Sequence, residues 1–213
     1  MEKPEIILIG GGGHCLSCIE VIESMSEFQI AGIIDSKSKI GDEILGYKII
    51  GCDDDLRILR NKYDYALISI GQMESVTIRK KLFNLLKELG YILPVIMAST
   101  AYVSRNSVIG EGSIVMHQSI VNSLSRIGKN CIINTRALIE HGTIVGDFCH
   151  ISTNAVLNGN VSVGDECFIG SNTTFANGLS VVSDVFIGAN SLITKNIKFP
   201  GVYIGSPAKK QIE

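Results

Sequence analysis

The sequence contains no tryptophan and only 4 prolines, and aromatic residues make up just 6% of its 213 positions. So little proline excludes a collagen-like or proline-rich extended chain. A hydrophobic content of 46% excludes a disordered one. An excess of either charge is also missing: 19 Lys and Arg stand against 21 Asp and Glu, for a net charge of −2. A chain so balanced has no electrostatic reason to seek nucleic acid or an anionic membrane surface. No apolar run approaches the ~20 residues that span a bilayer. The stretch Glu5-Ile-Ile-Leu-Ile9 is too short for a signal peptide and has no cleavage site after it. Six cysteines in a chain of this length do not read as a disulfide framework. These absences predict a soluble, cytoplasmic chain of one domain or two small ones, with no nucleic acid partner and no membrane span.

What is present changes character near residue 98. Over roughly residues 4–96, apolar runs alternate with helical spacing. The runs are Glu5–Ile9, Ile30–Ile34 (ending at Asp35) and Tyr65–Ile70 (ending at Gly71). Between them, 15–26 carries Leu16, Ile19, Val21 and Ile22 at helical positions, and 53–60 reads as a helix opened by acidic residues. Residues 74–89 place Val76, Ile78, Leu82, Leu85, Leu86 and Leu89 on one stripe. Such alternation predicts βαβ units, a parallel sheet and a Rossmann-like α/β domain over 1–98. Ligands of such sheets sit at the carboxyl ends of the strands, here Gly10 to His14, Asp35 and Gly71. The glycines of Gly10-Gly-Gly-Gly13 let backbone N–H groups approach an anionic ligand. The spacing departs from a dinucleotide fingerprint, because the third glycine position falls on Cys15. That departure disfavours an NAD-linked enzyme.

From residue 99 to the end, a period of six replaces the helical pattern. Every sixth residue from Val103 to Ile193 is aliphatic or Phe, and the position two places earlier is mostly small. Gly110, Gly128, Gly146 and Gly164 add a period of eighteen. Three hexapeptides therefore make a coil and about five coils stack, which predicts a hexapeptide-repeat parallel β-helix over 99–213. Cys131, Cys149 and Cys167 are eighteen apart and should stack inside it as packed thiols, not as a metal site. Cys15-x-x-Cys18 lies in a predicted helix with no second pair, so core packing is expected there and no metal anywhere. By register His117, His141 and His150 face outward. His141, with Asn134 and Glu140 nearby in the chain, is the candidate base near neutral pH.

These motifs resemble bacterial sugar acyltransferases: the sialic acid O-acetyltransferases and the nucleotide-4-amino-sugar N-acetyltransferases of bacillosamine and perosamine synthesis. The resemblance rests on Ile9-Gly-Gly-Gly-Gly-His14, on Ile133-Asn-Thr-Arg-Ala-Leu-Ile-Glu-His141 with His150-Ile-Ser, on Leu157-Asn-Gly-Asn-Val-Ser-Val-Gly164, and on Ile204-Gly-Ser-Pro-Ala-Lys209. It implies a left-handed β-helix, a homotrimer, and acetyl-CoA as the donor bound between neighbouring β-helices. It implies His141 as general base, with Glu140 and Asn134 beside it. His150, Gly159, Ser171 and Ala189 would contact the cofactor. Gly10, Gly12, Gly13, His14, Asp35 and Gly71 would hold a nucleotide-sugar. Members of the N-acetyltransferase branch often carry an acidic residue directly after the catalytic histidine, where this chain has Gly142.

The expected activity is acetyl transfer from acetyl-CoA to a UDP-4-amino-4,6-dideoxy sugar in surface-glycan synthesis, by direct attack with no covalent acyl carrier. The alternatives are O-acetylation of sialic acid or a related nonulosonic acid, and a non-catalytic trimeric binding module. The outward, uncharged Met116, Phe148, Asn154, Asn172 and Asn177 are expected to line the trimer interface.

Overall fold

The structure, a computed structural model, describes residues 3–73 and 75–211. The chain divides between Ser99 and Thr100 into two compact units. The first contains β1 (Glu5–Ile9), α1 (Gly13–Ser24), β2 (Gln29–Ile34), β3 (Glu43–Ile44), β4 (Tyr47–Gly51), α2 (Leu56–Leu59), β5 (Tyr65–Ile68) and α3 (Thr77–Glu88). The sheet order is β3-β4-β2-β1-β5. β1, β2, β4 and β5 run parallel, and β3 pairs antiparallel with β4. Ile6 to Ile9 are fully buried because β1 is a central strand with both faces covered. The β3–β4 hairpin is an element that the hydrophobic pattern does not announce. Its turn residues Leu45 and Gly46 both have positive φ (49° and 83°), and Leu in place of Asn before the Gly hides it.

Two helical stripes differ from expectation. α1 buries Cys15, Cys18, Ile19, Val21 and Ile22, whereas Leu16 lies on its outer face. α3 buries Arg79, Leu82, Phe83 and Leu86, and Ile78 is 60% exposed. The buried face of α3 begins at Arg79 because its guanidinium donates to the carbonyls of Ile68 and Ile70 at the end of β5. A charged residue thus answers carbonyls that the sheet leaves unpaired.

The second unit is a parallel β-helix. Each coil contributes three two-residue strands, and pairing joins residues eighteen apart, as in Ile132 with His150, Leu138 with Val156 and Ile144 with Ser162. Three faces result, named here by His150, Leu138 and Ile144. The aliphatic ladder points inward and is buried from Val115 to Ile193, while Val103 and Ile109 in the first coil are only partly covered. At Gly110, Gly128 and Gly146 an added Cβ would lie 2.6 to 2.7 Å from the backbone carbon of the next coil's glycine. Backbone contact between coils therefore imposes the period of eighteen. The stacked Cys131, Cys149 and Cys167 are fully buried. The thiols of Cys131 and Cys149 each donate at 3.1 Å to a carbonyl of the next coil, as the Ser113 hydroxyl does at 2.8 Å. Bonding between neighbouring thiols, together with burial, pushes the Cys149 thiol up.

One residue per hexapeptide, from Gly112 through Arg136, Gly142 and Asn160 to Asn190, has positive φ. These residues turn the corners, and Asn and Gly tolerate that conformation best. Three expected interface residues, Phe148, Asn154 and Asn172, belong to this series, and the Asn154 and Asn172 amides hydrogen-bond each other at 2.7 Å. Met116 is buried within its own chain. Their positive φ gives Asn154 and Asn172 a role at the corners of their own chain.

Candidate active site

In the first unit a cavity of about 360 Å³ opens at the carboxyl ends of the strands. Its apolar walls include Ile9, Ile34 and Ile70, and Gly10, Asp35, Ser36 and Lys37 line it beside Asp53 and Asp54. Gly10 has φ +107°, and a Cβ there would lie 2.2 Å from Ile70 Cγ1. Gly11, absent from the expected set, packs under Asp35: its Cβ would meet Oδ2 at 2.6 Å, and its N–H donates to that oxygen at 2.9 Å. A Cβ on Gly12 or Gly13 would meet nothing within 4 Å. α1 starts there with no side-chain cap and no acidic residue in its first turn, so its positive end suits an anion. Half-buried His14 packs its Cβ against Gly71. Partial burial raises the pKa of Asp35, but the Ser36 N–H, the Lys39 ammonium and the Gly11 N–H outweigh it and hold the carboxyl below its ordinary value. Lys37, Asp53 and Asp54 lie where the hydrophobic pattern carries no site signal, beside the unforeseen hairpin.

In the β-helix the expected residues fall on two edges. Asn122, Glu140, His141 and Gly159 lie on the edge between the Leu138 and Ile144 faces. Glu140 Oε2 is 3.5 Å from His141 Nδ1 and accepts from Asn122 Nδ2 at 2.9 Å. The His141 side chain is 62% exposed and that of Glu140 30%. Gly159, expected to touch the cofactor, lies against this imidazole: its Cβ would be 2.7 Å from both Cε1 and Nε2 of His141. Asn122 lies one coil before Glu140 and was reachable from sequence only through the period of eighteen.

The edge between the His150 and Leu138 faces carries Asn134, Ser171 and Ala189. Asn134 was expected beside His141, but its partner is His150. Seven residues along the chain lead to the next edge, whereas sixteen nearly complete a coil. Asn134 Oδ1 accepts the Thr135 N–H at 2.8 Å, which turns Nδ2 toward His150 Nε2 at 3.1 Å. Nε2 therefore accepts, and the His150 proton sits on Nδ1. His150 points outward as expected, yet it is only 7% exposed. Its ring meets Phe168 edge-on at 5.1 Å, and Phe168 stacks on Phe186 at 4.6 Å. Ser171 is half-buried and Ala189 exposed on the same edge. His117 lies on this same edge one coil before Thr135, where its carbonyl accepts the Arg136 N–H at 3.0 Å, and its Nδ1 bonds Thr100 Oγ1 at 2.9 Å.

Among the described residues no group of three His, Cys, Asp or Glu could hold a metal ion, and no helix is long and apolar enough to cross a membrane. An exposed imidazole paired through Nδ1 with a carboxylate has the chemistry of a general base acting from Nε2.

Comparison with known proteins gives matches at both ends of the chain. Residues 5–86 match the PglD N-terminal domain, residues 142–177 the bacterial transferase hexapeptide (six repeats), and residues 125–158 and 160–195 the hexapeptide repeat of succinyl-transferase. No curated protein sequence matches. A histidine-to-asparagine variant of perosamine N-acetyltransferase from Caulobacter crescentus, solved with CoA and GDP-perosamine, is similar at 30% identity and TM-score 0.92, over 98% of this chain and 97% of that one. The acetyltransferase domain of PglB from Neisseria gonorrhoeae is similar at 28% identity and TM-score 0.90, over 98% and 100%. WeeI from Acinetobacter baumannii, at 21% identity and TM-score 0.84 over 98% and 100%, shares the fold. With 30% identity to the Caulobacter enzyme along nearly its whole length, the chain belongs to the bacterial sugar acetyltransferases built from a PglD-type N-terminal domain and a hexapeptide-repeat β-helix.

Proposed function

We propose that the chain transfers acetyl from acetyl-CoA to the 4-amino group of a nucleotide-linked 4-amino-4,6-dideoxy sugar, with His141 as general base. The observation that carries this reading is the His141 imidazole, exposed on a β-helix edge with its Nδ1 against Glu140. The amine nitrogen attacks the thioester carbonyl carbon and gives its proton to His141 Nε2. The tetrahedral intermediate then expels the CoA sulfur, which takes that proton back from the imidazolium. His150, with Asn134, lies beside the thioester carbonyl, and the small Ser171 and Ala189 leave the edge open for the pantetheine arm. The cavity at Gly10 and Asp35 holds the nucleotide, its diphosphate toward Gly12 and Gly13. N-acetylation is favoured over O-acetylation because the similar Caulobacter enzyme acts on GDP-perosamine.

The same reading includes a homotrimer. The Leu138 face presents an outward ladder of Tyr102, Ile120, Leu138, Val156, Thr174 and Leu192. That face lies between the His141 edge and the Asn134 edge. Three copies turning it to a common axis bring the His141 edge of each beside the Asn134 edge of the next. Neither edge alone carries all the proposed groups. The test is release of CoA thiol with UDP- and GDP-linked 4-amino-4,6-dideoxy sugars and with sialic acid, in wild type and His141→Ala. Turnover of a nucleotide-sugar by wild type but not by the variant supports the reading. Turnover of sialic acid alone, or a fully active His141→Ala, overturns it.

A further inference from the structure

Glu140 is a flexible side chain asked to hold a second, exposed side chain in place. What fixes it comes from the coil before. Asn122 and Glu140 occupy equivalent positions eighteen residues apart, each following an inward ladder residue (Val121 and Ile139). Their backbones are locked by the N–H bonds of Asn122 to Ile139 O and of Glu140 to Leu157 O, both at 2.9 Å. Asn122 Nδ2 donates to Glu140 Oε2 at 2.9 Å, and the same oxygen faces His141 N at 3.4 Å and Nδ1 at 3.5 Å. The carboxylate is thus pinned on the Nδ1 side of the ring, and the Nε2 side lies toward Gly159. This chain has glycine directly after the histidine, so the carboxylate beside the ring is that of Glu140. Residue 142 turns the corner with φ +67°, and a Cβ there would meet Asn160 Oδ1 at 2.4 Å.

We propose that Asn122 is a positioning residue that aims Glu140 at Nδ1 and so holds His141 in the Nδ1–H form, with Nε2 as the proton acceptor. The inference rests on the reading of His141 as the base. An amide suits position 122 because it donates a hydrogen bond without bringing a charge. A carboxylate there would repel Glu140, while adding negative charge that stabilises the imidazolium. The groups around His141 are Glu140 on its own corner, Asn122 and Ser123 on the coil before, Gly159 on the coil after, and Asn177 beyond Gly159 on the next. Of these only Glu140 carries an ionisable side chain.

The experiment is ¹⁵N NMR of histidine-labelled full-length protein across pH, with kinetics of CoA release, in wild type, N122A and the isosteric N122D. In wild type, neutral His141 should be mainly the Nδ1–H tautomer. In N122A it should move toward the Nε2–H form that free imidazole side chains prefer, with kcat down about tenfold and KM for acetyl-CoA within about twofold. In N122D the His141 midpoint and the acidic limb of the kcat profile should rise together by about half a pH unit or more. Equal tautomer ratios and equal midpoints in all three proteins overturn the proposal, even if N122A loses activity through poor folding. A fully active His141→Ala overturns the function proposed above. An inactive His141→Ala beside wild-type behaviour of N122A and N122D overturns this inference alone.

Discussion

Replacing Gly159 by alanine separates stability from catalysis. The added Cβ would lie 2.7 Å from Cε1 and Nε2 of His141, whereas ordinary contact begins at 3.4 Å. Gly159 is not among the positive-φ glycines, so alanine brings no backbone strain. The obstacle is the end of an exposed side chain, and the ring can swing away by about 0.7 Å, the difference between 3.4 and 2.7 Å. A displacement near 1 Å at a reacting group costs up to about 100-fold in rate. We expect roughly a tenfold loss of kcat, equivalent to about 1.4 kcal/mol in barrier, and a Tm within about 2 °C of wild type.

Gly146→Ala is the control, with the opposite outcome. Its Cβ would meet Asp165 Oδ1 at 2.3 Å, Asp165 N at 2.7 Å and Gly164 C at 2.7 Å. Two of those atoms are backbone, so two coils must separate. Overpacking of this kind costs about 1–3 kcal/mol, a Tm drop of roughly 2–12 °C for a chain of this size. Activity per folded molecule should survive. Scanning calorimetry and CoA-release kinetics on both variants check the pair. Wild-type kcat in Gly159→Ala, or equal Tm losses in the two, would refute the reasoning.

Ile120 is 39% exposed on the Leu138 face, so Ile120→Glu should leave the coil folded while dissociating the proposed trimer and abolishing transfer; light scattering showing an intact trimer would contradict the proposed interface. Asp35 has a lowered pKa, so its stabilising bonds are present above its unfolded pKa and lost as pH falls through the lower folded one. Asp35→Asn should flatten the acid limb of the stability profile below about pH 4 and weaken nucleotide binding; an unchanged limb by urea denaturation argues against it. All six cysteines are buried, and burial raises the Cys15 and Cys18 thiols, so a thiol reagent at pH 8 should find none of them reactive until the protein unfolds.

Much of the fold was legible because it is periodic. The inward ladder, the glycine column and the thiol stack each repeat with the coil, and a repeat is read without knowing any contact. The failures came where one position serves a different geometric demand. Leu16 and Ile78 have the right hydrophobicity for a core stripe. The sheet instead took the face of α1 bearing Cys15 and Cys18, and the face of α3 whose Arg79 reaches the carbonyls ending β5. Asn154 and Asn172 looked like uncharged residues awaiting a partner. Their left-handed corners also give them a role within the chain, and a second series of six, offset from the ladder, was the available signal for it.

For the site, the residue types were legible and their grouping was not. Asn134, Glu140 and His141 are close in sequence, which made them read as one cluster. On a β-helix, proximity in space follows the coil of eighteen and not the count along the chain. The period that revealed the fold therefore also contained the correct pairings: Asn122 with Glu140, His141 with Gly159, and Asn134 with His150, sixteen residues on. Gly142 is a corner residue of positive φ that brings no side chain, so the carboxylate at His141 is that of the preceding residue, and Asn122 on the coil before bonds it.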